Sequence, residues 1–157
     1  DGLLECYHLL GGLAHSGGRW EEAERWLRDG LALAEEIGHG ARVAAYQLQL
    51  GMLAAARGDP AEALEQAVRA LALARGFPQL RDRQSPGEVL RNATKRLGFA
   101  ALEECWQRVA GEALPDDIRQ LAQPEPGPEP QPGPEPEPEP NPDPEPNPDP
   151  DAQEERR

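Results

Sequence analysis

The stretches LGGLAHSGG (residues 10–18) and LGMLAAARG (residues 50–58) decide the fold, because they share their Leu-Gly start, an inner Leu-Ala pair and the final glycine. The same 40-residue shift superposes Glu22-Ala23 on Glu62-Ala63 and the LALA run of residues 31–34 on that of 71–74. A fixed period of this length is the signature of a stacked repeat architecture. The sequence therefore predicts two copies of one supersecondary unit.

Each copy has the pattern of a helical hairpin. Apolar residues at helical spacing predict a first helix, and a second apolar stripe predicts another over residues 20–36. Gly17-Gly18 ends the first helix, since glycine adopts the left-handed conformation of a helix C-terminus. Gly58-Asp59-Pro60 makes the equivalent turn, with Asp59 as N-cap and Pro60 at the first helical position. The first stripe comprises Leu3, Cys6, Tyr7, Leu10, Leu13 and Ala14, and the second Trp20, Ala23, Leu27, Leu31 and Ala34.

These positions resemble the signature of a tetratricopeptide repeat. The first unit carries it at Leu10-Gly11, Ala14, Gly18, Trp20, Ala23, Leu27 and Gly30-Leu31, and the second at Leu50-Gly51, Ala54, Gly58-Asp59, Ala63, Ala67 and Ala70-Leu71. The 40-residue period departs from the usual 34. Longer units of this kind are similar to those of bacterial signalling regulators, among them LuxR-family activators and related STAND-type ATPase sensors. The expected repeats are residues 1–40 and 41–78.

A third helical segment, residues 85–122, is expected to be a degenerate third repeat or C-terminal cap that closes the stack. Ser85-Pro86-Gly87-Glu88 reads as a capping box and predicts a helix to about Leu97. A second helix, residues 99–110, and a short one ending at Leu121 follow. The order of apolar residues and breakers resembles the closing segment of those regulators. Its physical role is a cap on the last apolar face.

The remaining residues, 123–157, form a Pro/Glu-rich tail with proline at every even position from 124 to 150. Alternate prolines fix φ and remove backbone donors, so neither helix nor sheet is expected, and an extended, disordered spacer is the favoured reading. A proline-motif ligand and a calcium site are less favoured, because the prolines lack a flanking basic residue and a rod cannot wrap an ion. The complete expectation is an all-α chain: an α-solenoid of antiparallel hairpins, a helical C-terminal cap and a disordered tail.

The charge of the chain limits its partners. The formal net charge is −13, which repels phosphate backbones and anionic lipid, so neither nucleic acid nor membrane is an expected partner. The two cysteines do not suggest a disulfide framework, and both are expected to be small buried side chains in a reduced, cytoplasmic protein. The chain starts at Asp1 and is helical in pattern by Leu3, which predicts a fragment whose first helix leaves one face bare.

No catalytic or cofactor site can be assembled from the sequence. The glycine-rich turns lack the lysine and hydroxyl ending of a phosphate-binding loop. His8 and His15 share a helix face near Glu5, but three weak candidates without a fourth ligand do not predict a metal centre. Cys105 has no nearby histidine base. We expect no enzymatic activity, no cofactor and no metal.

The resemblance implies a non-catalytic protein–protein interaction or sensor module in a larger bacterial signalling or transcriptional regulator. In such arrays the first helix of each pair lines a concave face, which would bind a protein, a peptide or an upstream domain of the same chain. The alternative is a structural scaffold or spacer. Trp26 lies off the main stripe, so it is either an inter-repeat contact or an exposed anchor. The residues expected in the groove are Glu5, His8, Gly12, His15, Leu48, Gln49, Met52 and Ala55.

Overall fold

The computed structural model describes residues 2–77 and 85–124, and within them the chain is helical, with no strand. Seven helices follow one another in these ranges, as the sequence predicts. They are α1 Gly2–Ser16, α2 Trp20–Glu36, α3 Gly40–Ala56, α4 Pro60–Ala74, α5 Ser85–Leu97, α6 Phe99–Ala110 and α7 Asp116–Leu121. Beyond residue 124, the predicted tail lies outside the described residues.

Glycine turns separate the first four helices. Gly18, Gly38 and Gly58 all have positive φ, between 69° and 80°. At the first turn the Gly18 amide donates to the His15 carbonyl at 3.0 Å and the Arg19 amide donates to the Ala14 carbonyl at 2.9 Å. The other two turns repeat this pair of bonds, which is the Schellman arrangement that satisfies the last carbonyls of a helix. These turns fold α1 onto α2 and α3 onto α4.

Asp59 starts α4 as the sequence predicts. Its carboxylate accepts a hydrogen bond from the Glu62 amide at 3.1 Å, and Pro60 follows at the first helical position. The second predicted cap, the Ser85–Glu88 box, involves the Ser85 side chain, which lies outside what the structure describes. The α5 helix itself begins at Ser85 and ends at Leu97.

The buried side chains form two clusters, and α3 contributes to both. The first cluster lies between α1, α2 and α3 and includes Leu27, Tyr46 and Leu53. The second lies between α3, α4 and the closing helices and centres on Trp106, Leu90 and Leu102. Because the closing helices bury residues of α4, they perform the capping role predicted for residues 85–122.

Two glycines allow the helices to approach closely. A Cβ on Gly11 of α1 would lie 2.5 Å from Cδ2 of Leu27 on α2. A Cβ on Gly30 would overlap the ring of Tyr46. That ring is fully buried, and its hydroxyl donates to the Leu4 carbonyl at 2.5 Å. Tyr46 thereby fastens α3 to both helices of the first hairpin.

The predicted burial is wrong for one cysteine. Cys105 is buried against the second cluster, but Cys6 is exposed. The reason is that α2 covers only a narrow strip of α1, whose buried residues are Leu4, Gly11 and Ala14. Four residues of the predicted stripe are exposed and form the bare face expected of the first helix: Leu3, Cys6, Leu10 and Leu13. Tyr7 is half-buried against the first cluster.

Candidate binding groove

A cavity of about 250 Å³ opens between the first helices of the hairpins and the start of α5. We call it the groove cavity. Four of the residues expected in the groove line it: His8 from α1, and Leu48, Gln49 and Met52 from α3. The structure thus brings half of the predicted set to one place.

His8 and Gln49 make the polar wall of the groove cavity. Nε2 of Gln49 lies 3.0 Å from Nε2 of His8, and because an amide NH₂ only donates, His8 accepts at that nitrogen. The His8 ring also meets the Tyr46 ring edge-on, with centroids 5.8 Å apart. The amide oxygen of Gln49 is buried and has no hydrogen-bond partner among residues 2–77 and 85–124. An unsatisfied buried acceptor is costly, so this oxygen favours a ligand that brings a donor.

The floor of the groove cavity is apolar. Leu48 and Met52 are half-buried and pack against the second cluster. Sequence reasoning missed the remaining lining residues. The available signal was the alanines at helical spacing on α3 and α4, whose small side chains leave space for the cavity. They are Ala44, Ala45, Ala70, Leu71, Ala74 and Pro86.

The other predicted groove residues lie at the rim or away from the cavity. Glu5 forms an ion pair with Arg42 at 2.5 Å, which links α1 to α3. Gly12 lies beside Gln49, since a Cβ there would be 3.9 Å from the amide nitrogen. His15 packs on Trp20 with ring centroids 5.8 Å apart, and Ala55 is exposed near the end of α3.

Trp26 packs within the first hairpin and is half-buried. Its ring centroid lies 5.9 Å from that of Tyr7 on α1, and Arg25 lies over the ring at 5.3 Å. The indole nitrogen donates to Glu22 at 3.5 Å. The contact it makes is therefore inside one repeat and not between repeats. Its role as an anchor for a partner stays a prediction.

The reactive side chains have structural surroundings. Burial raises the pKa of the Cys105 thiol, which disfavours the thiolate that a nucleophile needs. Among residues 2–77 and 85–124, no three His, Cys, Asp or Glu side chains gather closely enough to hold a metal ion. No helix in these ranges is long and apolar enough to cross a membrane.

A second, wider cavity of about 800 Å³ lies between α4 and α6. Its arginines are matched by carboxylates: Glu65 pairs with Arg69 at 2.7 Å and with Arg108 at 3.4 Å. Glu112 similarly pairs with Arg75 at 3.5 Å. Because each of these arginines already has a carboxylate partner, this cavity has the character of a solvated ion-pair network, and the groove cavity is the better candidate site.

Comparison with known families agrees with the fold. Residues 2–76 match the tetratricopeptide repeat family, and this range coincides with helices α1 to α4. No curated protein and no solved structure matches the chain at a significant level. Tetratricopeptide repeats are non-catalytic scaffolds that generally mediate protein–protein interaction. The match covers 75 of the 157 residues, so the two hairpins are similar to tetratricopeptide repeats over just under half of the chain.

Proposed function

We propose that the groove cavity binds an extended or helical peptide of a partner protein, and that the chain acts as an interaction module. The observation that carries this proposal is the juxtaposition of an apolar floor, Leu48 and Met52, with the unsatisfied amide oxygen of Gln49. Such a site suits an apolar side chain next to a backbone N–H. Binding sites commonly combine an apolar pocket with a few fixed polar groups.

The preferred ligand carries little charge near its anchor. Among the described residues that line the groove cavity there is no Asp, Glu, Lys or Arg, and Glu5 and Arg42 on the same two helices pair with each other. A strongly acidic or basic peptide would therefore gain little from the groove and would have to break this pair. We expect selectivity for an aliphatic or aromatic anchor residue, read by shape, and an affinity in the range typical of transient complexes.

The test is selection of binders from a random dodecapeptide display library on the full chain, followed by affinity measurement of the selected peptides. Leu48→Asp and Met52→Asp should each weaken binding by at least about tenfold, because they place a charge on the apolar floor. The matched control is Leu73→Asp, a leucine of α4 that is 38% exposed and lines the other cavity. Thermal melting establishes that all variants are folded. Peptides that bind the two groove variants as well as the parent chain would contradict the proposal.

We further propose that the module belongs to a larger bacterial signalling or transcriptional regulator and works in the cytoplasm. The support is the resemblance of its 40-residue units and closing segment to those of LuxR-family and STAND-type regulators. The coding sequence upstream of residue 1 tests this. A nucleotide-binding or DNA-binding domain in frame is the expected result. A repeat protein without such a domain, in which no peptide binds the groove, would favour the scaffold or spacer reading.

A further inference from the structure

Helix α1 carries an apolar face that nothing described in the structure covers. It consists of Leu3, Cys6, Leu9, Leu10 and Leu13, and we call it the outer face of α1. At 3.6 residues per turn these positions span about 120° of the helix surface. Leu3, Leu9 and Leu13 are 58%, 61% and 64% exposed, and Leu10 is 40% exposed. Large apolar side chains adjacent to one another on a surface generally mark an interaction site.

The equivalent face of α3, in the second repeat, is covered by another helix. Forty residues further on, Leu3 corresponds to Val43, Cys6 to Tyr46, Leu10 to Leu50 and Leu13 to Leu53. These four are 8%, 0%, 3% and 2% exposed, because they pack in one cluster with Leu27 and Ala34 of α2. The equivalent of Leu9 is Gln49, which lies in the groove cavity. The same helical surface is therefore covered in one repeat and bare in the other.

The covering element is the second helix of the preceding hairpin. Helix α2 offers α3 a stripe of Leu27, Gly30 and Ala34, all buried. It is held in place by a short glycine turn, residues 37–39. A helix joined in this way does not lose translational freedom on docking, so a narrow apolar patch is enough to hold it.

A separate molecule would need more surface than α1 provides. The outer face consists of five side chains, whereas a stable complex between independent molecules buries roughly 800 Å², or about 20–30 residues, on each partner. This difference favours a tethered occupant over a second copy of the chain.

We propose that the outer face of α1 is the docking surface of a further helical hairpin joined to the N-terminal side of α1. Its second helix takes the place on α1 that α2 takes on α3. This inference is independent of the peptide groove. Cys6 is smaller than Tyr46, so the docking helix needs no glycine at the position where α2 has Gly30, and it carries a larger side chain there to fill the space.

The chain supplies both the hairpin and the reporter for a test. Residues 1–40, with Cys6→Ala, are duplicated ahead of residue 1 of the full chain, which preserves the 40-residue spacing. The remaining Cys6 then lies under the added helix, while Cys105 stays buried as an internal reference. Labelling of Cys6 with a chromogenic disulfide reagent should slow by at least about tenfold. The melting temperature should rise by several degrees.

Leu3→Asp combined with Leu13→Asp on the original α1 is the matched control. In the 157-residue chain this pair should leave the melting temperature unchanged, since both leucines are exposed. In the duplicated chain it should restore rapid labelling of Cys6. Circular dichroism shows whether the added hairpin is folded. In either case, rapid labelling of Cys6 in the duplicated chain without the aspartate substitutions would overturn the proposal. So would a dimer of the 157-residue chain with Cys6 protected at micromolar concentration, which would assign the face to a second copy.

Discussion

Helices α1 and α3 have matching sequences and opposite surroundings. Both begin a hairpin, both carry Leu-Gly and Leu-Ala at the same positions, and both end in a glycine turn. Yet Leu50 and Leu53 are buried, whereas Leu10 and Leu13 are exposed. The apolar pattern of the sequence therefore identifies an apolar face of a helix, but the neighbouring helix determines whether that face is buried.

The two hairpins therefore contribute unequally to stability. The second hairpin lies between the first hairpin and the closing helices, and its α3 supplies side chains to both buried clusters. Within the described residues, the first hairpin packs against a neighbouring element, the second hairpin, on one side only. In a stack whose stability is the sum of units and their interfaces, the outer unit is expected to open first.

The largest expected difference comes from truncating matched leucines. Leu53→Ala removes a side chain that is 2% exposed and should lower the free energy of unfolding by about 2–5 kcal/mol. Leu13→Ala, at the same place in the first repeat, should change it by less than about 0.5 kcal/mol. Urea denaturation followed by circular dichroism measures both. Equal losses would show that α1 is buried in solution, and the comparison would fail.

A glycine pair gives the next largest effect. Gly30→Ala places a methyl group inside the buried Tyr46 ring, so it should destabilise the chain by about 1–3 kcal/mol. Gly12→Ala is the control within the same hairpin, because a Cβ there meets nothing closer than 3.9 Å. It should stabilise helix α1 by up to about 1 kcal/mol through helix propensity. If Gly30→Ala is tolerated as well as Gly12→Ala, the hairpins are not packed as closely as the structure has them.

Local signals explain how much of this fold the sequence predicts. The glycine turns at 18 and 58 and the Asp59 cap are local features, and together with the 40-residue period they predict the helices and their boundaries closely. The burial of Cys6 could not be predicted in this way. Helical spacing places Cys6 on an apolar face but does not reveal whether another element covers that face.

The groove is predicted less completely than the fold, for the same reason. His8 and Gln49 are 41 residues apart and meet because α1 and α3 lie side by side, which the repeat pattern implies. His15 turns towards Trp20 instead, and this depends on the rotation of α1 about its axis. The contribution of Pro86 depends on where α5 begins relative to α3, which a sequence period does not encode.

A smaller effect is expected from the helix caps, which differ between the hairpins. The Asp59 side chain caps α4, whereas Arg19 precedes α2 without a side-chain cap. Asp59→Ala should therefore cost about 1 kcal/mol, and Arg19→Ala close to nothing. Thermal melting of the two variants beside the parent chain resolves this difference. If Arg19→Ala lowered the melting temperature as much as Asp59→Ala, the Asp59 side chain would contribute nothing specific as the N-cap of α4.

The smallest expected effect concerns an ion pair between α2 of the first hairpin and Arg57 of the second. Glu24 on α2 lies 2.8 Å from Arg28 on the same helix and 2.5 Å from Arg57 at the end of α3. Hydrogen bonds from Arg28, and then from Arg57, hold the pKa of the Glu24 carboxyl below its ordinary value. The carboxylate form is thus favoured by folding, and its contribution is present above the ordinary pKa and lost as the pH falls through the lowered one.

Because the groups are partly exposed, Glu24→Gln should cost less than about 1 kcal/mol at pH 7. Parent and variant should converge in unfolding free energy as the pH falls through the lowered pKa of Glu24. Glu21→Gln changes an exposed glutamate on the same helix and serves as the control. The difference in unfolding free energy between this variant and the parent should not change over the same pH range. A gap between parent and Glu24→Gln that persists at low pH would mean that Glu24 joins the hairpins by packing and not by charge.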